Sequence, residues 1–588
     1  MAATERNGVY RPDRWVADST LSDRYPIYTR ANVGEVFPDP VTPLTFDSGL
    51  WLAELGWRDA WARMGAFEAD EFADDEFVQL GVVGGYCYLN ASLIRLFGER
   101  APGLSWQLMD EQFFGAQPGI PPYEEQAGDV RPDLSERIGA TFAWALSVER
   151  LSDLADLTED MRSTKRWRDE RPDLTTLTDR ELVARYVELI GLHRNLFAHH
   201  LFATYMATVP VGIIQAVTAA IGRPELLMVL IAGVGEVDSA APSMALWELS
   251  RVVAASPELS VAFDAGVAGL IERLVRSGSQ AAQAFLVGFR AFVHDYGSRG
   301  PNEWETRSPT WETRPELALA AIDRMRLAPD AASPDAHQSA RSAERHAVAA
   351  EVLAAVAADE ATHAQLAAAL QTATVWLPAR ERTKTNNIRL IHEARMALRE
   401  LGRRAVADGA FDEVEDFGFL RLAELRGPFL TDPHLFTDEI RRRRARYAEL
   451  SDLEPAFVFV GDPPDPSTWA RRDAEAFDGL GSGESLQGVP GCAGVAEGTA
   501  RVVLDSNDPT ALDPGDVLIA PITDPSWTPL FVPAAAVVVD VGAPLSHAVI
   551  VSRELGIPCV VSATGATRAI PDGAMVRVDG STGLVTVL

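Results

Sequence analysis

Between Val460 and Gly488 the chain changes character, and that change constrains the fold more than any other feature. GDPPDPSTW and GLGSGESLQG gather Pro, Gly, Ser and Asp around one short charged stretch, RRDAEAF. This is a linker composition. Before it, some four hundred residues are rich in Ala, Leu, Glu and Arg, with long helical segments such as Glu181 to Met206 and Arg341 to Thr372 and few strand-like runs. LAPDAASPD, residues 327–335, reads as a loop or lid within that region. After the linker, residues 498–503, 517–520, 535–541, 558–561, 575–578 and 584–587 are short, β-branched and separated by Gly/Pro turns, a strand pattern. AAAVVVDV is apolar at nearly every position, as in a strand covered on both faces. The expected architecture is α plus α/β: a large, mostly helical domain over 1–458, a flexible linker over 459–487 and a small α/β domain over 488–588.

Charge and cysteine content narrow the function classes. The 588 residues hold 84 Asp and Glu against 53 Lys and Arg, a net charge of −31. Such a field repels nucleic acid and anionic membranes, so no nucleic-acid or membrane partner is expected and a phosphate-bearing partner must find a local basic site. Cys87, Cys492 and Cys559 are too far apart for a metal pair or a disulfide framework, which points to a reducing cytoplasm. No metal site is expected. The N-terminus lacks a signal-peptide core, and no uncharged run of eighteen apolar residues follows.

One segment carries chemistry: VGAPLSHAVIVSRELGIPCVV, residues 541–561. Ser546 suits a helix N-cap, Gly556 a left-handed helix end, and Pro558 blocks continuation, so a helix is expected from about His547 to Leu555. His547 then sits in the first turn, where unsatisfied N–H groups and the positive dipole end favour neutral imidazole and a phosphoryl group placed on it. A lone histidine in that position is, in most proteins, merely a polar first-turn residue. The surrounding pattern changes that reading, because the Gly-rich turn, Ser-His, apolar trio and Arg-Glu-x-Gly-Ile-Pro resemble the phosphohistidine swivelling domain of phosphoenolpyruvate-utilising enzymes and dikinases. The resemblance extends over residues 486–588, through GVPGCAGVAEGTARVV, LDPGDVLIAPITDPSWTPLF and GAMVRVDGSTGLVTVL. Val541-Gly542 stands where many relatives have Gly-Gly; Ser546, His547 and Arg553 match.

The order helical domain, linker, swivelling domain is similar to that of rifampicin phosphotransferases without their nucleotide domain, and three patches support it. Asn32-Val-Gly-Glu-Val-Phe-Pro-Asp-Pro-Val-Thr-Pro-Leu44 resembles the opening of their substrate domain. Tyr296-Gly-Ser-Arg-Gly-Pro-Asn-Glu303 with Ser308-Pro-Thr-Trp-Glu312 is similar to their Gly-His-Arg-Gly-x-x-Glu and Pro-Arg-Trp, with Ser298 and Thr310 replacing the histidine and the arginine. Arg380-Glu-Arg-Thr-Lys384 is similar to their acceptor-site Arg-Glu-x-x-Lys. Pro378 is expected at an early helical position, which would set Arg380 and Lys384 on one face near a helix N-terminus, where a bound anion would relieve their conflict with the dipole. Without the family pattern, neutralisation by Glu381 and neighbouring acids would be the simpler account.

The resemblance implies a two-step phosphoryl transfer. No ATP-grasp fold or GxxxxGK[ST] loop is recognisable, so ATP and Mg²⁺ are expected on a separate ATP-grasp subunit that phosphorylates His547. The absence of a barrel after the last strand makes pyruvate an unexpected acceptor. The phosphohistidine would then pass its group to an acceptor among Arg380, Lys384 and Arg299, with Glu303 and Glu381 orienting those cations and Ser546 and Arg553 supporting the histidine. A phenol suits such a site, because a neighbouring cation stabilises the attacking phenolate. Split systems of this architecture, phenylphosphate synthase and hydroxyphenylethanone phosphotransferase, act on phenols in aromatic catabolism, and a 4-hydroxyphenyl ketone is the favoured acceptor. Rifamycin-like or other alcohols, a phosphocarrier role and a scaffold role are the alternatives. His199-His200 is assigned to helix packing, the acidic run Phe67 to Phe77 to a solvated face, and Cys559 to a packed thiol.

Overall fold

A computed structural model describes residues 15–74, 76–114, 120–234, 238, 241–330, 333–472, 479–504, 512–523, 527–543 and 546–588. Two long helices, His193–Ala220 and Glu360–Asp408, lie against each other at the centre of the first domain, and Trp51–Met64 packs across the former. The fit between those last two is close because residue 56 is glycine: a Cβ there would stand 2.5 Å from the Arg194 carbonyl oxygen. The most apolar window of Asp179–Ala220 is 78% buried within the protein, so its hydropathy is matched by core packing.

Two long helical segments expected from the sequence are each broken. The first divides at Leu192, between Asp179–Gly191 and His193–Ala220. The second divides between Pro334–Ala355 and Glu360–Asp408, where the Asp359 side chain accepts from the N–H groups of Ala361 and Thr362. Pro334 opens its helix, so the loop expected over 327–335 ends two residues early; residues 331 and 332 lie outside those described. Pro378 is not an early helical residue. It sits inside a 49-residue helix, where the lost hydrogen bond and ring clash of about 3 kcal/mol are offset by the burial of Trp376, Leu377 and Ala379 around it.

The first domain also holds a small antiparallel sheet, ordered β2-β3-β1-β4, from β1 (Ile27–Thr29), β2 (Leu80–Val83), β3 (Tyr86–Asn90) and β4 (Val458–Val460). Gly84 and Gly85, both with positive φ, close the tight β2–β3 hairpin. β4 belongs to this sheet, and Trp469 packs edge-on against Tyr86 at 5.8 Å, so the N-terminal part of the expected 459–487 linker is anchored to the first domain. Its C-terminal end is strand β5 (Ser485–Gln487) of the second.

The second domain is an eight-stranded sheet in the order β5-β12-β11-β7-β8-β9-β10-β6. Its remaining strands are β6 (Val489–Cys492), β7 (Val495–Val502), β8 (Val517–Ala520), β9 (Ala536–Val539), β10 (Cys559–Val561), β11 (Met575–Asp579) and β12 (Leu584–Val587). β7 to β10 run parallel, and every residue of β8, β9 and β10 is buried. Cys559 is a buried thiol paired in register with Cys492 across β10 and β6. The run from Phe67 to Phe77 puts Phe67, Phe72 and Phe77 in the core and exposes Asp70 and Asp74.

Candidate functional site

The crossover from β9 to β10 carries the helix His547–Leu555, capped by Gly556 in the left-handed conformation. Ser546 has the extended backbone of an N-cap, yet its hydroxyl makes no capping bond and is buried without a partner among the described residues. The His547 N–H donates instead to the Glu35 carboxylate, at 3.2 Å, a residue of the first domain. Thr523 Oγ1 lies 3.2 Å from His547 Nδ1, and Phe531 packs edge-on against the ring at 5.8 Å. The ring is 6% exposed and faces a cavity of about 130 Å³ formed between the two domains.

Helical spacing decides which first-domain residues reach that cavity. His193, Phe197, His200 and Thr204 recur on one face of His193–Ala220; Arg380, Lys384 and Ile391 do so on Glu360–Asp408; Ala53 and Trp57 come from the first half of Trp51–Met64, and Leu50 immediately precedes it. Glu35 and Phe37 come from the Asn32–Leu44 segment. The wall is mainly apolar and aromatic, with polar groups concentrated near His547.

Burial holds the His547 imidazole well below its ordinary pKa, with Lys384, Arg299 and Arg380 adding to the effect. Its ring is therefore a neutral nucleophile in a field that favours anions. Arg380 pairs with Glu381 at 2.9 Å. Lys384, half-buried, makes no hydrogen bond or ion pair with the described residues. Arg299 is buried behind the cavity wall, its Nε 3.1 Å from Glu303 and its guanidinium 3.4 Å from Thr385 Oγ1. Arg380 and Lys384 thus lie in the body of a long helix rather than at its N-terminus, and Glu381 neutralises only one of them.

The remaining motif residues have structural surroundings. Arg553 is buried in the last turn of its helix and does not line the cavity; neither do Ser298 and Thr310, the latter hydrogen-bonded to Thr313 in its own turn. Glu305, not singled out from the sequence, accepts from the Thr42 N–H and from the Thr42 and Thr45 hydroxyls, tying the Arg299 loop to the Asn32–Leu44 segment.

The two adjacent histidines part company, correcting their joint assignment to packing. His199 pairs with Asp160 at 2.6 Å, whereas His200 faces the cavity, its Nδ1 3.1 Å from Thr383 Oγ1. The Thr383 hydroxyl donates to the carbonyls of Ala379 or Arg380, both at 2.9 Å, and so accepts from His200 Nδ1–H. That leaves Nε2 with the lone pair. Burial, Arg380 and Lys384 hold this ring neutral as well. The i, i+4, i+7 recurrence of His193, Phe197 and His200 was the sequence signal that could have revealed the cavity face.

The fold and this interface define a histidine-bearing α/β domain docked on a helical domain, with the histidine at the shared cavity. Residues 512–583 match the family described as "PEP-utilising enzyme, mobile domain", and residues 199–381 match "Rifampicin phosphotransferase fourth domain". The second domain is thus similar to the mobile domain of phosphoenolpyruvate-utilising enzymes, a match that implies a phosphohistidine intermediate. Among similar proteins, a rifampicin phosphotransferase of Streptomyces sviceus is 30% identical over 59% of this chain and 39% of its own length. A prodigiosin synthesizing transferase of Serratia marcescens is 26% identical over 97% of this chain and 64% of its own. An uncharacterized protein of Mycobacterium tuberculosis is 35% identical over 50% of the chain and 30% of its own length. The chain therefore spans between about a third and two thirds of the length of these relatives.

Proposed function

We propose that the protein is the acceptor-binding and phosphoryl-carrying part of a dikinase-type phosphotransferase acting on a small phenolic hydroxyl. The observation that carries this reading is the meeting of His547 with Lys384, unpaired among the described residues, and with Arg380 at one largely apolar cavity. A separate ATP-grasp subunit, holding ATP and Mg²⁺, transfers the β-phosphoryl group to His547 and releases AMP and phosphate. With Nδ1 held by Thr523, Nε2 is the nitrogen that takes the group. Ser546 Oγ and the N–H groups of the first helical turn that follow His547, whose own N–H donates to Glu35, receive its oxygens.

In the second step the phenol oxygen attacks phosphorus and the P–N bond breaks. The electron pair returns to the His547 ring, and the phenol proton passes to His200 Nε2. Lys384 and Arg380 stabilise charge spread over the phosphoryl oxygens, and Arg299, fixed by Glu303, adds to the field from behind. A cavity of about 130 Å³ is on the scale of the roughly 150 Å³ that accommodates one benzene ring, and this favours a single-ring phenol, such as a 4-hydroxyphenyl ketone in aromatic catabolism, over a rifamycin.

The test is to incubate the chain with the ATP-grasp subunit, ATP and Mg²⁺, follow intact mass, and then add phenols and assay the ester. A phosphate gain absent in His547→Ala, followed by ester formation, is expected. Phosphorylation without any ester supports a protein phosphocarrier instead, and no phosphorylation by an active subunit supports a scaffold.

A further inference from the structure

Trp57, His193 and Trp304 each bring one polar atom without a hydrogen-bond partner among the described residues to the cavity wall, but one side chain there leaves both a donor and an acceptor idle. Gln112, on the helix Trp106–Phe113, is 3% exposed and lines the cavity, and neither its Oε1 nor its Nε2 has a hydrogen-bond partner among the described residues. Gln79, buried as deeply, uses its amide fully: it accepts from Trp61 Nε1 at 3.1 Å and donates to the Asn90 carbonyl at 3.4 Å. A buried amide with both atoms idle penalises folding and is retained where something else completes it. Phe113 packs on Tyr205 at 5.7 Å, which brings the helix Trp106–Phe113 against the turn that follows His200 on the helix His193–Ala220, and Gln112 and His200 line the same cavity. The rise from residue 200 to 205 is about 7.5 Å, comparable to a benzene ring with one substituent at each end.

We propose that Gln112 is the specificity-determining residue of the acceptor cavity, recognising through both atoms of its amide a hydrogen-bonding group, best a carboxamide or lactam, carried on the ring remote from the hydroxyl that takes the phosphoryl group. The inference rests on the cavity being the acceptor site. A carboxamide satisfies donor and acceptor together, a ketone only the donor, and an alkyl group neither. Sites built around such a bond reject analogues that lack it far more strongly than apolar pockets reject an added methylene.

The test uses three phenols of similar size, 4-hydroxybenzamide, 4-hydroxyacetophenone and 4-ethylphenol, titrated into the full chain and into Gln112→Met. Binding is read by calorimetry and by tryptophan fluorescence, since Trp57 and Trp304 line the cavity. The wild type should bind the amide at least about tenfold more tightly than 4-ethylphenol, with the ketone between them. Gln112→Met should reverse that order and raise the melting temperature of the ligand-free protein, because it removes an unsatisfied buried amide; a glutamine with a structural role would lower it. Equal affinities for the three phenols in the wild type, or no binding of any, overturn the inference, and this ratio decides even if the variant fails to fold. Phosphoryl transfer to all three without preference refutes Gln112 and leaves the phosphotransferase reading standing. The binding preference without transfer does the reverse.

Discussion

Replacing Lys384 by methionine keeps the length and apolar stem of the side chain while removing one positive charge beside His547. After burial, that charge is the largest influence holding the His547 ring neutral, ahead of Arg299 and Arg380. A unit charge about 4 Å from a phosphoryl oxygen is worth about 4 kcal/mol at an effective dielectric of about 20. Arg299 and Arg380 remain, and part of the attraction already exists before the reaction begins. The loss specific to the transition state should then be on the order of 3 kcal/mol, a rate reduction of roughly a hundredfold. The assay separates the half-reactions. The chain is phosphorylated chemically with phosphoramidate, its occupancy is read by intact mass, and the phosphorylated protein is mixed with a phenol and quenched at intervals. Lys384→Met should reach wild-type occupancy and transfer about a hundredfold more slowly. In the unphosphorylated variant, the His547 titration followed by NMR should move towards the ordinary histidine value. Transfer at the wild-type rate, or an equal loss in both half-reactions, would refute the role given to Lys384.

Two further outcomes follow from the histidines. His200→Gln should slow transfer most for weakly acidic phenols and least for strongly acidic ones, which ionise without a base; a uniform loss across a phenol series would instead indicate a packing role. His193 is buried, and burial lowers its pKa to about 4. Above pH 6.5 the group is neutral in both folded and unfolded chains, whereas between pH 6.5 and 4 only the unfolded chain takes up the proton, so stability falls with pH across that window. Denaturant titrations at pH 7 and pH 4.5 should show His193→Phe losing about 2 kcal/mol less than the wild type between the two; equal losses would place the histidine's titration elsewhere.

How much of this was legible in the sequence depends on whether the signal is local. The helix from His547 to Leu555 matches its expected bounds because Gly556 and Pro558 act on their immediate neighbours. The strands β8 to β10 were readable from continuous apolar runs. Strands β1 to β4 were not: each is short, β4 lies hundreds of residues from the strand it pairs with, and they are embedded in helical sequence. Pro378 misled for a related reason, since a proline's local preference is overruled when buried neighbours hold the helix through it. Within the site, the Arg380–Lys384 pair and His547 carry family patterns, whereas Gln112, His193 and Thr523 are ordinary residues whose convergence exists only after folding.

The docked arrangement itself limits how the reaction can proceed. His547 is 6% exposed here, so in the proposed scheme a nucleotide-bearing subunit would reach it only through separation of the domains. That separation is opposed by a shared apolar cluster in which Trp247, Phe292 and Trp311 of the helical side join Trp527, Leu530 and Phe531 of the mobile domain. It is also bounded in length: between Arg472, bonded to the Pro38 carbonyl, and β5, residues 473–484 span at most about 40 Å fully extended. Docking should therefore be the resting state, and opening the step that phosphorylation requires. Arg324 and Asp513 meet across the interface at 2.8 Å, and Cys87, Cys492 and Cys559 are all buried, so Arg324→Cys with Asp513→Cys can be joined selectively by a short bis-maleimide. Linked before phosphorylation, the protein should gain no phosphate from the ATP-grasp subunit. Linked after phosphorylation, it should complete a single transfer to phenol and then stop. Sustained turnover in the linked protein would mean that His547 is loaded without leaving the cavity, and the two-station scheme would have to be abandoned.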